Sequence, residues 1–289
     1  MEVSDRRYNR SATKILAGMP TSDGAGVNLT RLIGMPDLDM LDPFLLLDSI
    51  ESDDPNDYIA GFPPHPHRGF ETVTYILAGK MRHKDSTGRE GVIEAGGVQW
   101  MTAGRGIIHS EMPEQEDGLL YGFQLWVNLP ADLKMTAPSY REFSAEEIPA
   151  EERESGVTVR VVTGTTSEGT TGPVENVVTD PLFVDIELPA GADFEEPIPE
   201  SHGAFVHVIE GEVSVQGTAG DAEVGAGALA VLENGERVSL TAGANGARLL
   251  LVAGRRLDEP VARYGPFVMN TQAELMQAAA DYQSGRFVS

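Results

Sequence analysis

The sequence predicts an all-β protein: two similar antiparallel β domains in tandem, followed by a short C-terminal helix. Most of the 289 residues read as short strands of alternating apolar residues, separated by turns that draw on 32 Gly and 18 Pro. One pattern of strands recurs along the chain, which indicates a duplicated unit. Strands of this kind are "ETVTYIL", "VTVRVVTG", "LFVDIELPAG", "AFVHVIEGEVSVQG" and "ARLLLVAG".

The duplication becomes visible when the two halves are laid over one another. At a shift of 132 residues, 65–79 ("HPHRGFETVTYILAG") falls on 197–211 ("PIPESHGAFVHVIEG"), and both end in an apolar strand and a glycine turn. At a shift of 130 residues, 97–111 ("GVQWMTAGRGIIHSE") falls on 227–241 ("GALAVLENGERVSLT"). Two β domains of the same design are therefore expected.

A polar, acidic segment separates the two halves. It covers residues 137–156, "APSYREFSAEEIPAEERESG". Such a segment is typical of a domain boundary. We expect an N-terminal domain over 1–142 and a C-terminal domain over 143–289.

The C-terminal helix is predicted over residues 270–285, "NTQAELMQAAADYQSG". Asn270 or Thr271 can cap its N-terminus, because a short polar side chain accepts a hydrogen bond from a free backbone N–H there. Gly285 can end it.

Composition excludes several classes of protein. The chain has no cysteine, so disulfides, thiolate metal sites and cysteine nucleophiles are ruled out. The 45 acidic and 21 basic residues give a net charge of −24, which repels phosphate backbones, so direct nucleic-acid binding is not expected. The sequence has no apolar run long enough for a membrane span and no secretory signal. A cytoplasmic location is the expectation.

Two short motifs carry candidate metal ligands. His65 and His67 are two residues apart, and in an extended strand such residues share one face. His109 and Glu111 have the same spacing about forty residues on, plausibly on a neighbouring strand. Together they make a set of three imidazoles and one carboxylate, which suits iron(II), manganese, nickel, copper or zinc. In the overlay, the histidine pair falls on prolines, and His109 and Glu111 fall on a serine and a threonine (Pro197, Pro199, Ser239 and Thr241).

Spacing alone does not decide which carboxylate completes the set. Glu71 lies four residues after His67, has the same strand parity, and could replace Glu111. Of the other histidines, His83 follows a predicted turn and is expected at the surface or near the mouth of a pocket. His202 and His207 lie in the half without ligands and are expected to be structural.

The motifs also resemble one known family. The strings "GFPPHPHRGFETVTYILAG", "MTAGRGIIHSEMP", "FQLWVNLP" and "GPFVMNT" are similar to the pirin family of the cupin superfamily, over nearly the whole chain. The resemblance implies a bicupin, with two antiparallel, jelly-roll-like β-barrel domains and one iron in the N-terminal domain. It also implies His65, His67, His109 and Glu111 as the ligands, with Glu71 outside the set. The general cupin pattern has a glycine six residues before the first histidine, where this chain has Ile59.

The resemblance implies one of two functions. Some pirins resemble dioxygenases that open the central ring of a flavonol such as quercetin with O2 and release carbon monoxide. Others act as iron-dependent partners of transcription factors or metabolic enzymes. We expect the dioxygenase, with one divalent metal per chain, Fe(II) before the alternatives, and Glu111 as the catalytic base. The substrate would be a small flavonol-like aromatic, and the chain is expected to be a monomer. The protein-partner role is the alternative.

Overall fold

The computed structural model describes residues 6–175 and 178–288, and antiparallel strands make up most of the described chain. In chain order the strands are β1 (Ser11–Ala17), β2 (Met19–Asp23), β3 (Val27–Ile33), β4 (Phe44–Ser52), β5 (Phe62–His67), β6 (Phe70–Ala78), β7 (Lys80–Asp85), β8 (Glu90–Glu94), β9 (Val98–Thr102), β10 (Ile107–Pro113), β11 (Leu120–Asn128), β12 (Ser139–Phe143), β13 (Ala150–Glu152), β14 (Thr158–Thr163), β15 (Leu182–Leu188), β16 (Asp193–Pro197), β17 (His202–Gly217), β18 (Gly220–Gly225), β19 (Ala228–Glu233), β20 (Arg237–Arg255), β21 (Ala262–Tyr264) and β22 (Phe267–Met269). One α-helix, α1 (Gln272–Gln283), and short 3₁₀ turns at Arg6–Tyr8, Pro55–Asp57 and Ala145–Glu147 complete the elements.

The chain forms two compact units. The histidine unit comprises Met19–Glu147 with Leu257–Ser289, and the companion unit comprises Met1–Gly18 with Ile148–Arg256. The change at Glu147 and Ile148 falls inside the acidic segment that the sequence marks as a boundary. The units differ from the two sequential halves in that each takes one terminal segment from the other half.

The exchange of terminal segments has a physical cause in strand pairing. β1 pairs antiparallel with β19 in the companion unit, for example Ala12 opposite Leu232. The backbone N–H and C=O groups that face β19 are paired there, at the edge of a sheet whose strands otherwise come from residues after 147. Sequence periodicity marks β1 as a strand but not its partner.

The companion unit is one large sheet that closes around an apolar core. Its strand order is β1-β19-β17-β20-β15-β14-β13, with β16 on β20 and β18 on β17. The core is a cluster of buried Val, Leu, Ile and Ala side chains with Phe194. Long strands β17 and β20 bend at irregularities in their register, as between Gly211 and Val213, and so contribute to more than one part of the sheet.

The histidine unit contains two sheets. A seven-stranded sheet has the order β12-β9-β6-β11-β4-β3-β2, and a four-stranded sheet has the order β5-β10-β7-β8. β6 is buried along most of its length, because it lies between β9 and β11. The strands β21 and β22 form a separate hairpin in this unit. The fold is all-β and bicupin, as the sequence predicts.

The predicted helix is confirmed with its caps. The Thr271 side chain accepts a hydrogen bond from the Glu274 backbone N–H, and the Glu274 carboxylate accepts one from the Thr271 N–H, which is a capping box. α1 ends at Gln283, and Gly285 follows with φ of +73°. Among the described residues, no helix combines the length and apolar character that crossing a bilayer requires.

Of the two glycine turns that the overlay predicts, the structure contains one. Gly79, with φ of +82°, stands between β6 and β7 as predicted. Gly211, with φ of +74°, lies inside β17 at a bulge, so the predicted turn there is wrong. A Cβ at Gly211 would lie 2.1 Å from the Gly246 carbonyl oxygen, so glycine is needed for the close approach of two backbones.

Candidate metal centre

Three histidines from two paired strands converge in the histidine unit. His65 and His67 are on β5, and His109 is on β10, where it is the cross-strand partner of His65. One ring nitrogen of each lies within 4.8 Å of the others. The Nε2 atoms of His65 and His67 are 3.0 Å apart. The i, i+2 argument from sequence, and the neighbouring-strand position of His109, are confirmed.

These histidines are suited to hold a cation. His67 and His109 are buried, and burial, with the nearby histidines as a second cause, lowers the pKa of each well below 6.5. Both are therefore neutral imidazoles, the form that binds metals. Neither ring nitrogen of His109 has a hydrogen-bond partner among the described residues, although both are buried. Buried polar atoms without partners are costly, and a bound metal ion would supply the missing interaction.

Glu111 lies beside this cluster and lines a cavity that His65 and His67 also line. The pairing of β10 with β5 is irregular between His109 and Glu111, which places Glu111 opposite Phe62. Its carboxylate accepts a hydrogen bond from the Thr74 hydroxyl at 2.8 Å. The group of ligand atoms within 4.8 Å contains the three histidines and does not include Glu111. Its role as a fourth ligand stays a prediction.

The alternative carboxylate, Glu71, has a different setting. It is on β6 in the seven-stranded sheet and accepts a hydrogen bond from the Thr102 hydroxyl at 2.7 Å. Glu111 is at the wall of the cavity that His65 and His67 line, whereas Glu71 is not among the residues lining it.

The position of His83 differs from the one that the sequence predicts. The expectation of a surface position is wrong, because the side chain is 0% exposed. β7 pairs with β10 and sets His83 opposite Glu111, so its side chain points into the unit. His83 Nε2 lies 3.0 Å from Asp85 Oδ2, and its ring is 5.4 Å from that of His109. Sequence reasoning missed it because β7 begins directly after the Gly79 turn.

His202 and His207 have the structural setting that was expected. A ring nitrogen of His202 lies 3.0 Å from the Asp180 carbonyl oxygen, and one of His207 lies 3.1 Å from that of Ala228. Both are buried in the companion unit.

A cavity of about 620 Å³ opens onto His65 and His67. Leucine, isoleucine and phenylalanine side chains make up much of its wall, while His65, His67, Glu111, Thr74 and Gln124 contribute polar atoms; the apolar lining residues include Leu29, Leu46, Ile50, Ile76, Leu120 and Phe123. This combination of apolar walls and a few convergent polar groups is typical of a small-molecule site.

Two arginine side chains also line the cavity, and each makes a different kind of contact. Arg31 makes a two-pronged ion pair with Asp48, with both contacts at 2.8 Å. Arg263 lies 5.1 Å above the Trp126 ring, which in turn is 5.1 Å from the ring of His67. Trp126 therefore lies between the His67 ring, which it meets edge to face, and the Arg263 guanidinium group.

The companion unit repeats this strand pairing without the histidines. β16 pairs with β20 as β5 pairs with β10, and Ser239 lies opposite Glu195. If Ser239 matches His109, the residue that matches His65 is Glu195. The overlay had placed Pro197 there, so it was two residues out of register. A shift of two keeps every side chain on the same face, and apolar periodicity therefore does not detect it.

The Glu195 carboxylate already has interaction partners in the companion unit. Its carboxylate lies 3.3 Å from the Arg237 guanidinium and accepts a hydrogen bond from Ser239. Within residues 6–175 and 178–288, the three histidines are the one group of three or more His, Asp or Glu side chains close enough to share an ion.

Two antiparallel β units, one of which carries three histidines on two paired strands beside a cavity, define a bicupin with one candidate metal site in the described part of the chain. A family model described as Pirin matches residues 26–127, and one described as the Pirin C-terminal cupin domain matches residues 183–288. A pirin-like protein from Caulobacter vibrioides is 55% identical over 96% of this chain and 99% of its own. The chain belongs to the pirin family.

Two further relatives carry enzyme names. A Pseudomonas aeruginosa protein named "Putative quercetin 2,3-dioxygenase" is 48% identical over 96% of this chain and 98% of its own. The crystal structure of a quercetin 2,3-dioxygenase from Acinetobacter baumannii is 35% identical, with a TM-score of 0.86 over 97% of this chain and 99% of that one. The chain is thus similar to dioxygenase-like pirins.

Proposed function

We propose that this protein is an iron(II)-dependent dioxygenase that cleaves a flavonol such as quercetin with O2. The observation that carries the proposal is the cluster of three histidines, two of them buried, beside a largely apolar cavity that His65 and His67 line. The similarity to proteins named as quercetin 2,3-dioxygenases supports the same choice of reaction.

His65, His67, His109 and Glu111 would hold the iron. Three imidazoles and one carboxylate leave coordination positions free, which suits iron(II). When bound, iron supplies a Lewis acid for substrate oxygen atoms and one-electron chemistry for O2. The other divalent metals that fit such a site are manganese, nickel, copper and zinc.

The cavity walls would hold the flavonol. The faces of its rings are flat and apolar, and the leucine, isoleucine and phenylalanine side chains of the wall would exclude water from them. The edge that carries the 3-hydroxyl and the neighbouring carbonyl would face the histidines. Trp126 offers a flat ring beside His67 against which the substrate can pack.

Glu111 would take the proton of the 3-hydroxyl group. It is a carboxylate at the cavity wall, and the Thr74 hydroxyl holds one of its oxygen atoms. A positioned base is typically worth about 10²- to 10⁴-fold in rate. The resulting anion is electron-rich and reacts with O2. One flavonol and one O2 then give one ring-opened product and one carbon monoxide, and the proton on Glu111 returns to the product.

The test is turnover by a glutamine variant. Iron-loaded wild-type protein, Glu111→Gln and Glu114→Gln are incubated with quercetin in air, and the flavonol absorbance is followed. Glu114 is a matched control, because it is an acid three residues further on that pairs with Arg82. We expect Glu111→Gln to keep much of its iron and to lose about 10²-fold or more in rate, with Glu114→Gln unchanged.

Two results would overturn parts of this proposal. Wild-type turnover by an iron-loaded Glu111→Gln variant means that Glu111 is not the base. No turnover by the iron-loaded wild type removes the dioxygenase, and the iron-dependent protein-partner role then takes its place.

A further inference from the structure

We propose that Thr74 is the positioning residue that fixes the Glu111 carboxylate toward the cavity. The inference rests on the proposed function, in which Glu111 serves as ligand and base. It assigns a role to a side chain that has neither charge nor metal-binding capacity.

Thr74 stands at the centre of a polar row that crosses three strands. On β6 it is the cross-strand partner of Gln99 on β9 and of Gln124 on β11. Its hydroxyl oxygen lies 3.2 Å from Gln99 Oε1 and 2.7 Å from Gln124 Oε1. The row is set in the seven-stranded sheet, where Val73 and Ile76 are among its buried neighbours.

Glu111 reaches this row from the other sheet. Its strand, β10, belongs to the four-stranded sheet, and its Oε1 is 2.8 Å from the Thr74 hydroxyl. Its second oxygen lies 3.5 Å from Gln124 Nε2, at the limit of a hydrogen bond. The contact with Thr74 is therefore the shorter of these two hydrogen bonds to the Glu111 carboxylate.

Donor and acceptor chemistry decides where the Thr74 proton goes. A hydroxyl has one proton to donate and two lone pairs, whereas an ionised carboxylate can only accept. An amide can turn its side chain so that the N–H2 group faces the hydroxyl. The proton therefore goes to Glu111, and Gln99 can donate to Thr74. Gln124 can also donate to Thr74 if it gives up its 3.5 Å contact with the second Glu111 oxygen. Turning Gln99 would also give a partner to its buried Nε2 atom, which otherwise has none among the described residues.

The consequence is orientation. A β-branched side chain on a central strand has little rotational freedom, so the hydroxyl is fixed. A hydrogen bond to a charged acceptor is strong and directional. Without it, the carboxylate would be free to rotate about its own torsions, and both metal binding and proton transfer would suffer from the lost alignment.

The chain offers a matched control on the same strand. Thr72 is also buried on β6, two residues away, and its hydroxyl has no hydrogen-bond partner in the part of the chain that the structure describes. Thr72→Val removes the same atom from the same strand without touching Glu111. Any general effect of placing valine in β6 appears in both variants.

The experiment compares Thr74→Val, Thr74→Ser and Thr72→Val in the full chain. Iron-loaded proteins are assayed for kcat and KM with quercetin, and the visible spectrum of the cobalt(II)-loaded proteins reports the ligand geometry without turnover. We expect Thr74→Val to lower kcat by about 10- to 100-fold with little change in KM and to alter the cobalt bands. Serine should restore both, and Thr72→Val should match the wild type. If Thr74→Val does not fold, Thr74→Ala removes the same hydroxyl with less bulk.

The possible results distinguish the proposed role of Thr74 from the proposed dioxygenase function. A Thr74→Val protein with the kcat and cobalt spectrum of wild type overturns the role of Thr74, even when the wild type turns over quercetin. A wild type without turnover overturns the dioxygenase. In that case, cobalt bands that change in Thr74→Val and not in Thr72→Val still support the positioning of Glu111.

Discussion

The Nε2 atoms of His65 and His67 face each other across 3.0 Å on a single strand. The other ring nitrogen of His65, Nδ1, lies 2.8 Å from the Pro63 carbonyl oxygen. A carbonyl only accepts, so Nδ1 carries the proton of the neutral ring, and Nε2 presents its lone pair. The Pro63 carbonyl thus selects the tautomer of His65 that can bind a metal, and it does so without the metal.

Loss of one histidine should empty the site. His109→Ala removes a nitrogen that has no other partner, and we expect less than about a tenth of the wild-type iron after dialysis, in a protein that still folds. His202→Ala is the control, since that histidine lies in the companion unit. Iron is measured by elemental analysis and folding by circular dichroism. Full iron occupancy in His109→Ala would show that the ligands are elsewhere.

One metal per chain is the expected stoichiometry. In the companion unit, Glu195 takes the position of His65 and is paired with Arg237, so a cation there would meet a guanidinium group. Titration with iron(II) under anaerobic conditions should saturate at one equivalent. A second tightly held ion that survives His109→Ala would place a site in the companion unit and contradict this expectation.

Lys134 should be important for the stability of the histidine unit. It is 1% exposed, burial lowers its pKa to about 8, and its ammonium donates to Gly69 O, Asn128 Oδ1 and Val268 O at 2.7, 2.6 and 3.1 Å. Lys134→Met leaves these acceptors without a donor, so we expect a loss of about 3 kcal/mol in the free energy of unfolding.

The control for this change is Lys80→Met. Lys80 is exposed and pairs with Glu94 at the surface. An exposed pair contributes at most about 1 kcal/mol, so its loss should hardly shift a urea unfolding curve. Equal shifts of the unfolding curve in the two variants would show that the buried ammonium does not stabilise the fold more than the exposed one does.

His207 should make stability depend on pH. Burial lowers the pKa of His207 to about 4, below the 6.5 of an unfolded chain. The group therefore favours the folded state fully above pH 6.5, and this contribution is lost as pH falls from 6.5 toward 4. The loss reaches about 3 kcal/mol at pH 4. His207→Gln should flatten the dependence of the unfolding midpoint on pH over that range by about one proton. An unchanged slope would mean that His207 is not the group that titrates.

Much of the fold could be predicted because it is written in local patterns. The period-two alternation of 71–77 marks β6, and Thr271 with Glu274 marks the start of α1. The histidine pair could also be found, because the geometry of a strand alone places His65 and His67 on one face. The position of His109 opposite His65 follows once its segment is known to be the paired strand.

What could not be predicted depends on pairing between distant strands. β1 shows its periodicity but not its partner β19, so the exchange of terminal segments was hidden. The match of Glu195 to His65 required the register of β16 on β20. Thr74 looks like any strand threonine until β10 brings Glu111 against it. Each of these is a tertiary relationship that composition and spacing do not encode.

The most direct test of the central claim is the stoichiometry of gas exchange during quercetin turnover. Iron-loaded protein is mixed with quercetin in a closed cell, and flavonol loss, O2 uptake and carbon monoxide release are measured together. The proposal predicts one O2 consumed and one carbon monoxide released for each flavonol, with none of the three in His109→Ala. Flavonol loss without carbon monoxide, or no loss at all by the iron-loaded wild type, would contradict it.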